Sequence, residues 1–182
     1  MSAVTPDLNR EQLAGLVCAT LDRHGVQVVL SGGGAASIYA PSPYESMDLD
    51  FIPIGLSRRV DAAMLELGFR KEHQRHWTHP GTAFWIEFPP GPVQVGDEVV
   101  HDFAERQTAH GILRILTPTD SVMDRLAWYY HASDTQTLEQ AVGVAAANEV
   151  DLERIEAWSK RERADEKFER FRTRLRGESG SK

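Results

Sequence analysis

The sequence predicts an α/β (α+β) chain: a mixed sheet flanked by helices, followed by a C-terminal helical region. Three observations point there. A short, β-branched, apolar run, VQVVL at 26–30, leads into three consecutive glycines, Gly32, Gly33 and Gly34. A second run, MDLDFIPI at 47–54, places Asp48 and Asp50 on one side and Met47, Leu49 and Phe51 on the other, the period of a strand. From residue 118 the apolar residues recur at helical spacing only. The expected boundaries are a core over 1–115, a helical region over 116–176 and a disordered tail over 177–182.

Each element has its own signal. TPDLNREQLAGLVCATLDRHG reads as an opening helix, with Thr5 or Asp7 as cap, Gly25 as stop and Leu13, Leu16, Val17 and Leu21 as the buried stripe. Cys18 lies beside that stripe and is expected to be a packed, inert thiol. VQVVL is almost wholly apolar, as a strand covered on both faces requires. GGAASIYA is small and helix-compatible, and Pro41 and Pro43 end it. LSRRVDAAMLELGF starts a helix that Gly68 stops. HWTH and AFWIEF are strands separated by a Pro-Gly turn, and PVQVGDEVV and GILRIL add further short strands. Thr117 or Thr119 caps a helix over TPTDSVMDRLAWYYHAS; TQTLEQAVGVAAANEV is the next; DLERIEAWSKRERADEKFERFRTRLR reads as one long last helix.

Bulk properties exclude several classes. The 182 residues are 41% hydrophobic, enough for one core. Net charge is −7, which argues against coating nucleic acid by charge alone, although a local basic groove stays open. Residues 153–182 hold ten Lys or Arg against seven Asp or Glu; a solvated, salt-bridged helix is the ordinary reading, a docking surface for RNA or a partner the sharper one. A single cysteine allows neither an intrachain disulfide nor a thiolate zinc cluster. No apolar run reaches the roughly 18 residues of a membrane helix, and the N-terminus has no signal core, so a cytoplasmic protein without membrane partners is expected.

The chemistry rests on the carboxylates. Residues i and i+2 of a strand stand about 6–7 Å apart on one side, so Asp48 and Asp50 can converge on a hard cation. Mg²⁺ takes oxygen ligands and completes its shell with substrate phosphates. Glu87, within AFWIEF, is the candidate third ligand: a charge among Phe84, Trp85, Ile86 and Phe88 is costly unless paired or metal-bound. The alternative is an outward-pointing glutamate on a half-exposed strand. Where strand gives way to helix, Gly32 and Gly33 let backbone N–H groups approach a phosphate, and the Ser31 hydroxyl can assist; a tight turn without ligand is equally compatible. No Gly-Lys-Ser/Thr follows, so this is not a Walker A loop.

Gly32-Gly33, a short helix, and Ser46-x-Asp48-x-Asp50 together resemble the signature of the DNA polymerase β-like nucleotidyltransferase superfamily, with the nearest likeness to AbiEii-type toxin-related bacterial nucleotidyltransferases. The resemblance is clear over 26–52 and weaker to about 145, through Glu87 and ILTPTDSVMDRLAWYYHASD. It implies Mg²⁺-dependent, ATP- or other NTP-binding transfer of a nucleoside monophosphate to an acceptor hydroxyl. By position, Asp48, Asp50 and Glu87 would hold metal and act in catalysis, and Ser31, Gly32, Gly33 and Ser46 would bind the triphosphate. The sequence departs from the pattern where relatives have cations. Arg125 is a shifted substitute for a helix lysine, with Arg70 in reserve; Ser133-Asp134 replaces a Lys-Asp pair; and Tyr44 and Glu45 stand where an arginine is common. The implied partners are an NTP, a tRNA or protein acceptor and an antitoxin. The second reading is a catalytically weak or inactive protein of this fold, acting as a binding or regulatory component such as one half of a toxin–antitoxin pair.

Other constellations are thinner. His76-x-x-His79 with Glu87 suggests zinc, but the spacing is not H-E-x-x-H. Residues 29–33, VLSGG, lack the G-x-S-x-G of a hydrolase elbow. Trp77 and Trp85 are candidates for stacking a base, with packing the ordinary alternative, and at least one of Trp128, Tyr129 and Tyr130 must face the sheet.

Overall fold

The computed structural model describes residues 3–40, 44–55, 58–73 and 75–179. In chain order the elements are α1 (Arg10–Arg23), β1 (Gln27–Ser31), α2 (Gly32–Tyr39), β2 (Asp48–Ile54), α3 (Val60–Glu66), β3 (Arg70–Lys71), β4 (His76–Thr78), β5 (Trp85–Glu87), β6 (Gln94–Val95), β7 (Glu98–Val99), β8 (Phe103–Thr108), β9 (Gly111–Leu116), α4 (Pro118–Ala132), α5 (Thr135–Ala147), α6 (Leu152–Arg161) and α7 (Asp165–Ser179). Seven strands form one sheet in the order β3-β4-β5-β2-β1-β9-β8, and β6 and β7 form a separate hairpin. The sheet is mixed: β1 runs antiparallel to β2 and parallel to β9, and β2 runs parallel to β5. This is the predicted class.

The central strand behaves as its composition requires. Val28, Val29 and Leu30 are all fully buried, so both faces of β1 are covered. Helix α1 lies against β1 and β9 and supplies Leu13, Leu16, Val17 and Leu21 to the core. Its cap is Asn9 rather than the expected Thr5 or Asp7. Asn9 accepts from Gln12 N at 2.9 Å and Gln12 Oε1 accepts from Asn9 N at 3.0 Å, a reciprocal box that needs Gln or Glu three positions after the cap, where Thr5 and Asp7 have Leu8 and Arg10. Cys18 is fully buried, and burial pushes its thiol up to about 12, which makes it inert.

Three local expectations are corrected. The strand FAERQT, unforeseen in the sequence, is β8, an edge strand hairpinned to β9. The single last helix is two. Arg163 adopts φ +56°, Ala164 N donates to Ser159 O at 3.0 Å, and the chain turns between α6 and α7. The turn lets Trp158 of α6 and Phe168 and Phe171 of α7 all bury their rings, which one straight helix would prevent. Helix α7 also continues to Ser179, into the expected tail; residues 180–182, like the prolines at 41 and 43 expected to end α2, lie outside the described residues. Thr117 caps α4 as expected, with Pro118 at its first position.

The helical region packs onto the same core. Helices α4 and α5 rest on α2, and α6 and α7 rest on α4 and α5. No helix among the described residues is long and apolar enough to cross a membrane.

Candidate active site

Strand β2 presents Asp48 and Asp50 on one side while Leu49 and Phe51, fully buried, anchor the other. Strand β5 lies parallel beside it in a register that sets Glu87 opposite Asp50 and Trp85 opposite Asp48. Neighbouring strands are about 5 Å apart, so Glu87 stands next to Asp50 on the same face. The alternation that buries Ile86 is what turns Glu87 to this side.

The three carboxylates feel one another. Burial, then the charges of Asp48 and Glu87, pushes Asp50 up to about 6, against the opposing charge of Arg125. Burial and the charge of Glu87 raise Asp48, with His76 opposing. Asp48 Oδ1 is buried without a hydrogen-bond partner. Glu87 has one: His76, its register partner on β4, sets Nδ1 3.0 Å from Glu87 Oε1. Among the described residues, no group of three or more His, Cys, Asp or Glu side chains is gathered closely enough to hold a metal ion. His79 does not join His76. Its Nδ1 accepts from Gly81 N at 2.9 Å and its ring lies against Phe69.

The glycines draw α2 onto this strand. Gly32 has φ +72°, and a Cβ there would come within 2.6 Å of Asp50 Oδ2. At Gly33 a Cβ would meet Ser46 Cβ at 2.8 Å, and at Gly34 the Asp48 carbonyl at 2.6 Å. Close approach of helix to strand therefore explains all three. Ser31 makes no side-chain cap; it is buried, and its hydroxyl donates to Asp50 O at 3.4 Å. Ser46 Oγ accepts from Asp48 N at 3.1 Å, fixing the entry to β2.

Above the aspartates opens a cavity of about 500 Å³. Gly33, Ser46, Asp48 and Asp50 form its floor, Arg125 and Trp128 come from α4, and Gln136, Thr137 and Gln140 come from α5. Arg125 is buried and held by Asp124 through Nε at 3.0 Å and Nη2 at 2.6 Å. Arg70 lies on the edge strand β3, three strands from β2, beside His79. A second cavity, about 660 Å³, adjoins Glu87 and is lined by Glu72, His73, Arg75 and His76.

Sequence reading missed Arg10 and Gln140 as parts of this place; it reached His76 only through a zinc spacing with Glu87, and Trp128 only as one of three helix aromatics. Arg10 reaches from α1 to Glu45 Oε2 at 2.9 Å and Ser46 O at 3.0 Å, over the Phe84 ring. A guanidinium therefore does stand beside the Ser46-x-Asp48-x-Asp50 element, brought by the fold from 35 residues upstream. Gln140 Nε2 donates to Tyr44 O at 2.6 Å. These partners lie far apart in sequence, so no local spacing announces them.

No protein-family model matches the chain, and no curated protein does. Solved structures share its fold. A nucleotidyltransferase-like antigenic protein from Paracoccidioides brasiliensis superposes with a TM-score of 0.52 at 11% identity, over 76% of this chain and 77% of its own. ANT(2")-Ia, in complex with adenylyl-2"-tobramycin, superposes with a TM-score of 0.51 at 14% identity, over 87% of this chain and 94% of its own. The chain therefore has a nucleotidyltransferase-like fold.

Proposed function

We propose that this chain transfers a nucleoside monophosphate from an NTP to an acceptor hydroxyl. The observation that carries the reading is the Asp48–Asp50 pair set in register beside Glu87, on one face of a rigid sheet, at the floor of a cavity of substrate size. Asp48 has an unpartnered buried oxygen and Asp50 is held short of positive charge, so this pair suits a hard divalent cation. Mg²⁺ bound by Asp48 and Asp50 would neutralise phosphate charge and polarise the phosphorus. Glu87, engaged by His76, faces the second cavity and is assigned to the acceptor side.

The residues then divide the work. Arg125 and the first turn of α2 receive phosphate oxygens, Ser46 holds the strand entrance, and the Glu87 carboxylate accepts the acceptor's proton. The acceptor oxygen bonds to the α-phosphorus as the bond to the bridging oxygen breaks, and pyrophosphate leaves with the electron pair. Transfer of α-labelled NTPs to tRNA, to protein fractions and to tobramycin, comparing wild type with D48A/D50A, tests this. Label in all three fractions at equal levels from both proteins would sink the mechanism.

A second reading draws on the acidic surplus of the site, where Asp48, Asp50, Glu45 and Asp134 line one cavity with Arg125 as the cation among its lining residues. Such a chain would hold a triphosphate weakly and serve as a regulatory or binding component, such as one half of a toxin–antitoxin pair. Absence of Mg²⁺-dependent stabilisation by ATP, GTP, CTP and UTP in thermal shift would favour it.

A further inference from the structure

We infer that Trp128 is the stacking platform for the nucleobase of the bound nucleotide. This rests on the proposed nucleotide site and goes beyond it, by naming where the base lies. The chain has four tryptophans. Trp77 and Trp158 are 2% and 1% exposed and belong to the core. Trp85 is half-buried against the His76 ring, 5.9 Å away. Trp128 alone among them is 57% exposed, although its helix neighbours Tyr129 and Tyr130 are buried. The face of α4 that packs is thus satisfied without it.

Its place gives the exposed ring a use. Trp128 lines the same cavity as Asp48, Asp50 and Arg125. Positions 125 and 128 are three apart on a helix, so their side chains are neighbours on one face, one turn along the axis. A triphosphate at Arg125 and the aspartates therefore leaves the base beside the indole. Gln136 of α5, which lines the same cavity, carries an amide that both donates and accepts, suited to the polar edge of a base. Every base has a π-face, so a single aromatic wall gives affinity with little selectivity among the four.

Calorimetric titration of the full chain with Mg²⁺ and either α,β-methylene-ATP or inorganic tripolyphosphate tests the inference. Trp128→Ala should weaken the nucleotide about 5- to 100-fold, the range that removing one base–aromatic stack spans. Tripolyphosphate affinity should stay unchanged, and Trp128→Phe should retain most nucleotide affinity. An unchanged melting temperature in W128A controls for folding. Unaltered nucleotide affinity in W128A, or equal weakening of both ligands, overturns the inference while leaving the phosphate site standing. The first of these with a slower transfer rate would move Trp128 to the acceptor. Wild type that binds neither ligand overturns the nucleotide site and this inference together.

Discussion

Asp50 holds its proton up to about pH 6 because it is buried beside two other carboxylates. Between pH 4 and 6 the folded chain therefore binds a proton that the unfolded chain has released. The sign follows: this group's stability is present in full below about pH 4 and is lost as pH rises through about 6. Asp50→Asn should stabilise the metal-free protein by up to about 3 kcal/mol at pH 7.5, a difference that vanishes near pH 4. Urea melts at the two pH values check it, and the same substitution should abolish any rise in melting temperature with Mg²⁺. At the neighbouring position, His76→Ala should lower transfer activity without lowering nucleotide affinity, because His76 touches Glu87 and not the phosphate cavity. His76→Asn, which keeps a hydrogen-bond donor, should restore part of the rate. Asp48 and Asp50 were legible in the sequence because i and i+2 on a strand fix a face without tertiary knowledge. Glu87 was legible as a charge among apolar residues. Arg10 was not, and His76 was grouped with Glu87 only through a zinc spacing, since what pairs them with Glu45 and Glu87 is the docking of α1 and the register of β4 on β5.

At the scale of elements, most helices and strands declared themselves by period and punctuation. Two did not, for identifiable reasons. FAERQT carries four polar side chains in its six residues and sits at a sheet edge, so it lacks the apolar alternation of a buried strand. The break between α6 and α7 falls on Glu162, Arg163 and Ala164, with no glycine or proline to mark it. Arg163 pays a steric cost at φ +56° that glycine would not. Arg163→Gly should therefore stabilise the protein by about 0.5–1 kcal/mol, measured by chemical denaturation. A value near zero would mean that Arg163 makes compensating contacts. Gly34→Ala should do the reverse: a methyl 2.6 Å from the Asp48 carbonyl must push helix from strand, at a cost of about 2–3 kcal/mol.

For the whole molecule, the sheet order was not written in any local pattern. It places β2 between β1 and β5, and so brings Glu87 to Asp50 across 37 residues. The helical region is tied to the core by polar clasps as well as by packing. Arg154 of α6 reaches Asp120 Oδ1 at 2.7 Å, where that carboxylate is 2% exposed, and Lys167 of α7 donates to the carbonyls of Tyr129 and Tyr130 at the end of α4. Arg154→Ala should cost about 2 kcal/mol, because it strands a buried carboxylate whose partner is itself partly solvated. Unfolding should remain a single transition by fluorescence and circular dichroism. One contact has a bearing on descent as well as on stability. Gly33 and Ser46 lie so close that positions 33 and 46 share a fixed volume. A relative with alanine at the first has room only for glycine at the second, and would forfeit the hydroxyl that fixes Asp48 N. The two positions should therefore covary as a pair across the lineage, and a sequence that breaks the pairing should also have lost its aspartates.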